Sequence, residues 1–163
     1  MSGIPRIGLA ALIALAALFL VARLRYPGKA PVRLQAEKCD RDLWNHVIEK
    51  ERLTVLEECT AVEGRVVSLS RASDGDLHIA LDPEPKSVLN LINAIRARGE
   101  LVVEIICEHT PAILSEKATC ADFHQHVTIP QVGDRVRVTG AYVTDRHYGW
   151  NEVHPVTRIE ILR

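Results

Sequence analysis

Asp145-Arg146-His147-Tyr148-Gly149-Trp150-Asn151-Glu152-Val153-His154-Pro155 gathers two imidazoles, two carboxylates, an amide, an indole and a phenol around one glycine. Imidazole and carboxylate together ligate divalent metals and move protons. A second such place is Leu77-His78-Ile79-Ala80-Leu81-Asp82. As a strand it turns Leu77, Ile79 and Leu81 to one face and Asp76, His78 and Asp82 to the other. If that face meets the first stretch, then Asp76, His78, Asp82, His147, Trp150, Glu152 and His154 make one candidate ligand or metal face. Its catalytic form would be a metal-dependent hydrolase in which His78, His147, His154 and nearby carboxylates hold a divalent ion that activates water. The spacing contains no His-Glu-x-x-His, nucleophile elbow, phosphate loop or dinucleotide fingerprint.

A plainer reading has the same residues satisfying one another in a turn. Gly149 supplies a positive φ, Trp150 plugs one end of a barrel, and His154 bonds backbone groups before Pro155. That reading is preferred, so the catalytic residues stay unassigned and no cofactor is predicted, with zinc or another divalent metal as the alternative.

The four cysteines fall as two locally spaced pairs, Cys39 with Cys59 and Cys107 with Cys120, among three possible connectivities. Read as disulfides, they indicate an oxidising compartment. Each bridge closes a loop of roughly 15 to 20 residues and stabilises the fold by about 3 kcal/mol. The competing reading is a metal cluster of Cys107, His109, Cys120, His124 and His126, although the spacing matches no common zinc motif.

Ile7 to Ala22 is an unbroken apolar run between Arg6 and the pair Arg23 and Arg25. As a helix it spans roughly 24 Å, close to the bilayer core if the arginines snorkel. Residues 1–26 are therefore expected to be a transmembrane signal anchor, with secretion after signal cleavage as the alternative. Positive charges are more numerous after the run than before it, which argues for a cytoplasmic domain. The cysteines argue for the extracytoplasmic side, and they are given precedence.

The first 29 residues hold four basic groups, Arg6, Arg23, Arg25 and Lys29, and no acids. The rest therefore carries 16 basic and 21 acidic residues, a net −5, although the whole chain of 163 residues is only −1. An acidic domain with 4% aromatic residues lacks the positive face that displaces counterions from phosphates, which argues against nucleic acid as a partner. The membrane, and an unknown protein or small ligand, remain as partners.

Residues 27–38, with Pro27, Gly28 and Pro31, read as a linker. In the domain, 39–163, a short helix is expected after Asp40 as N-cap, with Leu43, Val47 and Ile48 on one face. Strands are expected over 59–70, 77–82, 101–107, 135–143 and 156–162. Asp74-Gly75 makes the first hairpin turn, Gly64 marks a bend, and Pro83 and Pro85 end the second strand. Val88, Leu89, Leu91, Ile92 and Ile95 form a helical stripe closed by Gly99, and residues 108–126 are a polar excursion. Five strands with one or two short helices among them predict a mainly β fold, an OB-like Greek-key barrel behind a transmembrane helix.

Cys39-Asp40-Arg41-Asp42-Leu43-Trp44, Leu53-Thr54-Val55-Leu56, Asp74-Gly75-Asp76-Leu77-His78, Val132-Gly133-Asp134-Arg135-Val136 and Gly149-Trp150-Asn151-Glu152-Val153-His154-Pro155-Val156 carry a resemblance. The chain resembles a group of bacterial OB-fold-like proteins, exported or membrane-anchored, whose function is unassigned. The Gly-Trp-x-Glu-x-His-Pro motif is the most specific part, and Tyr148 stands where the group is expected to have His. The resemblance implies the fold, the location and paired cysteines, and it brings no activity. The expected function is thus a membrane-tethered extracytoplasmic module with a non-catalytic binding or assembly role.

Overall fold

The computed structural model describes residues 38–163, which belong to the second of two units in the chain, Arg33–Arg163. The expected transmembrane segment and nearly all of the linker lie outside the described residues. No helix among the described residues is long and apolar enough to cross a membrane.

Five strands make the domain: β1 (Leu53–Arg71), β2 (Leu77–Glu84), β3 (Leu101–Ile105), β4 (Arg135–Asp145) and β5 (Asn151–Ile161). The sheet closes on itself in the order β1-β2-β3-β5-β4. All neighbours are antiparallel except β3 and β5, which run parallel with Val102 opposite Glu152 and Val103 opposite Val153. Closure depends on β1. Its stretch Glu63 to Arg65 pairs with β2 on one side and β4 on the other, and register shifts at three places let the 19-residue strand curve from one partner to the other.

Alternation sends Val62, Val66, Leu77, Ile79, Leu81, Leu101, Val103, Ile105, Val136, Val138, Val153, Val156 and Ile159 into one core. A smaller cluster of Leu43, Val47 and Ile106 lies under the N-terminal segment, flanked by Trp44, Leu53 and Phe123. That segment is a 3-10 turn over Asp42–His46, entered where Asp40 Oδ1 accepts from the Asp42 amide at 2.9 Å. Both disulfides form, Cys39–Cys59 and Cys107–Cys120. The first ties the N-terminal segment to β1, and the second closes the excursion after β3.

Four boundaries differ from expectation, each for a local reason. β1 begins at Leu53 rather than 59; Leu53 to Val55 pair with Asp145 to Val143 on β4 although Thr54 to Glu58 are exposed, so no alternation marks them. Pro83 lies within β2 instead of ending it. β3 pairs only with Leu77 to Leu81, so the outer edge at Pro83 needs no amide donor. The helical stripe reduces to a 3-10 turn, Lys86–Val88, and helix α1, Leu91–Arg96, with Leu91 and Ile95 exposed and Val88 and Leu89 packed on the core. Finally, β5 begins at Asn151, so half of the stretch thought to be a turn is strand.

Asn151 explains that last boundary. Its amide N–H donates to Asn93 Oδ1 at 3.0 Å and its carbonyl accepts from Asn93 Nδ2 at 2.9 Å. Asn90, the N-cap of α1, donates to Asn151 Oδ1 at 2.9 Å. The helix is thereby fastened to the first residue of β5, and the side-chain amides of Asn90, Asn93 and Asn151 are satisfied as a unit.

Candidate functional site

The centre of the molecule's chemistry is a row across three strands on the face away from the core. His78 on β2 is paired in register with Glu104 on β3. Parallel pairing of β3 with β5 carries the row on to His154, two residues past the Val102 and Glu152 pair. His78 Nε2 lies 3.3 Å from Glu104 Oε1, and Glu104 Oε2 lies 2.8 Å from His154 Nδ1. Glu152 Oε1 also approaches His154 Nδ1, at 3.2 Å. The indole of Trp150 fixes the other Glu152 oxygen, donating to Oε2 at 2.8 Å.

Asp76 joins from the loop before β2. Gly75, with φ +100°, lets the Asp74-Gly75-Asp76 turn form so tightly that a Cβ there would meet the His109 carbonyl oxygen at 2.7 Å. The turn aims Asp76 inward. Its Oδ1 accepts from the Cys107 amide at 2.8 Å and its Oδ2 faces His154 Nε2 at 3.9 Å. One ligand atom each from Asp76, Glu104 and His154 lie within 4.8 Å of one another.

A charged rim surrounds this row. Arg52 Nε pairs with Asp145 Oδ2 at 3.0 Å, and its guanidinium lies over the Tyr148 ring, 5.7 Å from the centroid. Asp145 Oδ1 accepts from the His147 and Tyr148 amides at 2.6 and 3.3 Å, while Gly149, at φ +85°, completes the turn. Tyr148 then stacks on Trp150 with centroids 4.4 Å apart. A continuous set of contacts thus runs from Arg52 through Tyr148, Trp150 and Glu152 to His154.

Burial sets the electrostatics. Asp76, Glu104, Glu152 and His154 are all at most 3% exposed. Burial raises Asp76 to about 8 against the pull of the His154 charge. Burial also works against charge on Glu104, but the His154 imidazolium outweighs it, helped by His78 and Arg52, and holds Glu104 below the usual carboxylate range. Glu152 is pushed up by burial and by the neighbouring Glu104 charge. For His154 burial opposes the charge, yet Glu104 and Glu152 win and raise it well above the ordinary imidazole value. The result is a buried imidazolium between carboxylates.

The row opens into a cleft of about 200 Å³. Asp76, His78 and His154 line it together with Glu49, Arg52, Asp74, Glu116 and Tyr148. Within it His154 Nε2 is buried without a hydrogen-bond partner.

The structure therefore brings Asp76, His78, Trp150, Glu152 and His154 together. Two members of the expected face lie apart. Asp82 shares the parity of His78 but is exposed at the far end of β2, where it pairs with Lys86. His147 is exposed on the tip of the turn, its ring edge-on to Tyr148 at 4.8 Å. Trp150 does not plug the closed sheet; it is half-buried beside Glu152. His154 bonds carboxylates rather than backbone. Cys107 and Cys120 are oxidised to a disulfide and offer no thiolate, so the alternative cluster loses its sulfur ligands. His109 donates from Nε2 to the Ala72 carbonyl at 2.9 Å and has Nδ1 3.2 Å from Glu108 Oε2, while His124 and His126 meet edge to face at 4.8 Å beside a separate open hollow.

Glu104 and Arg52 are members that the sequence did not single out, and Asp145, though it opens the motif, was not among the candidate ligands. Glu104 had a signal, since it is the one charge in Leu101-Val102-Val103-Glu104-Ile105-Ile106, and a carboxylate buried in an apolar strand demands a cationic partner. Arg52 had none, because its partner Asp145 lies at the end of a strand distant in sequence.

No protein-family model matches this chain, and no curated protein matches it.

Proposed function

We propose that this protein is a membrane-tethered, extracytoplasmic OB-like module that binds a ligand in the cleft over His154 and does no chemistry on it. The strand order β1-β2-β3-β5-β4 with a parallel β3 and β5 supports an OB-like Greek-key barrel. Two disulfides support the oxidising side of a membrane, and the apolar run Ile7 to Ala22 supports the tether. The resemblance to exported or anchored bacterial OB-fold-like proteins agrees with both. The observation that carries the binding role is the polar cleft, which gathers seven ionisable or phenolic side chains from distant parts of the chain around one buried histidine.

A second reading, a metal-dependent hydrolase, draws support from the convergence of His78 and His154 on Glu104. It loses His147, one of the three imidazoles expected to hold the ion, which is exposed on the tip of the turn. Binding without turnover therefore fits the geometry best.

The test is a thermal-shift screen of the untagged full chain in detergent against small organic amines, carboxylates and phosphates, with hydrolysis of ester, amide and phosphoester substrates followed in parallel. Ser73 lines the cleft, and Ser73→Trp places an indole at its mouth. A ligand that raises Tm in the native protein but not in S73W, with no turnover, supports the proposal. Turnover abolished by S73W replaces it with the hydrolase, and the lack of any S73W-sensitive ligand overturns it.

A further inference from the structure

We infer that Asp76, Glu104 and His154 form a divalent cation site at the floor of the cleft. The inference rests on the binding reading of that cleft and names a ligand for it.

Two atoms that share one first-row cation each lie about 2.1 Å from it, so they are separated by no more than about 4.2 Å. Asp76 Oδ2 and His154 Nε2 are 3.9 Å apart, inside that limit, and one atom each from Asp76, Glu104 and His154 lie within 4.8 Å of one another, so Glu104 completes the set with a small side-chain movement. Asp76 Oδ1 is committed to the Cys107 amide, which turns Oδ2 toward the imidazole. The independent observation is His154 itself. At 2% exposure its Nε2 has no hydrogen-bond partner, although it faces a cleft lined by polar groups. A buried nitrogen left in that state costs free energy unless something occupies the position in front of it.

The surrounding shell is that of a metal site. Glu152 accepts from the opposite nitrogen, Nδ1, and Trp150 fixes Glu152. Two carboxylates on the far ring nitrogen, Glu104 Oε2 at 2.8 Å and Glu152 Oε1 at 3.2 Å from Nδ1, hold the Nδ1 proton and the ring orientation, so that an ion displacing the Nε2 proton meets a ring already aimed at it. Nearby, Glu49, Asp74 and Glu116 line the approach, while the cationic Arg52 is neutralised by Asp145. That favours a cation over an anion. One imidazole and two carboxylates select zinc or manganese over calcium and magnesium, which prefer oxygen alone, and water from the cleft completes the coordination.

The experiment uses the untagged full chain in detergent, stripped with chelator, and titrates it calorimetrically with Zn²⁺, Mn²⁺ and Ca²⁺. Co²⁺ serves as a spectroscopic probe through its visible absorption. Asp76→Asn keeps the acceptor for the Cys107 amide and the shape of the side chain, so the metal-free Tm stays near that of the native protein. Expected are one equivalent of Zn²⁺ or Mn²⁺, at least tenfold weaker Ca²⁺, and at least thirtyfold loss of Zn²⁺ affinity and of the Co²⁺ band in D76N. His124→Ala leaves both unchanged. Failure of every cation to bind, or full affinity in D76N, overturns the cation site. Organic ligands sensitive to S73W would then still uphold the binding cleft, and their absence would remove that reading as well.

Discussion

Glu104 Oε2 lies 2.8 Å from His154 Nδ1, joining β3 to β5 through a charge pair that is almost wholly buried. Two strands that share only a short parallel ladder are thus held by side chains as well as backbone. Removing one partner of such a pair leaves the other as an uncompensated buried charge. Glu104→Ala is therefore expected to destabilise the domain by about 3 to 5 kcal/mol, read as a shift in the urea midpoint of the metal-free protein. A change under about 1 kcal/mol would mean that Glu152 alone keeps His154 charged.

Trp150 has two separable jobs. Its ring stacks on Tyr148 and its N–H serves Glu152. Trp150→Phe keeps an aromatic ring and deletes the donor, so the expected loss is about 2 kcal/mol, the value of a hydrogen bond to a charged or buried acceptor. Denaturation of the variant checks this, with Tyr148→Phe as the control that keeps the stack and should move stability little.

The turn that delivers Asp76 is intolerant of a side chain. Gly75→Ala places a Cβ in a left-handed conformation against the His109 carbonyl, and a loss of more than about 1 kcal/mol is expected. Gly99, also at positive φ, has open space around its missing Cβ. Gly99→Ala should accordingly cost less than Gly75→Ala in the same denaturation series.

Acid sensitivity has an identifiable contributor outside the row. Glu108 is held below the usual carboxylate range chiefly by its hydrogen bond to Arg71, aided by His109. A carboxylate with a depressed folded-state pKa contributes stability above its unfolded value, and that contribution disappears as pH falls through the folded one. Stability should then decline below the ordinary glutamate range, about 4.3, and Glu108→Gln should flatten the decline. A pH profile of Tm for both proteins decides; parallel curves would assign the acid loss elsewhere.

The first disulfide offers a further test. Cys39→Ala with Cys59→Ala opens a loop with sequence separation 20, for which loop closure predicts a loss of about 3 kcal/mol. Equal stability of this double variant and the oxidised native protein would show that the N-terminal segment is held by Leu43 and Val47 alone.

Local pattern made much of the fold legible. Alternation in Leu77 to Leu81 and Arg135 to Val143 named strands and their inner faces correctly, because burial on one side of a pleat imposes a period of two. Asp74-Gly75 and Gly149 announced left-handed turns that only glycine adopts cheaply. The spacing of the four cysteines announced both bridges. Where that period was missing, as in the exposed start of β1 or the charged start of β5, the strand depended on its partner and left no mark.

The sequence by itself determined that imidazoles and carboxylates would share a face of β2 with His78, and that Glu152 and His154 would stand near one another. Which of them meet was decided by tertiary structure. The parallel pairing of β3 with β5 brings Glu104 between His78 and His154, while the length of β2 carries Asp82 away and the turn leaves His147 outside. The physical reason is that face is a local property of two successive residues, whereas register between strands far apart in the chain is set by closure of the whole sheet.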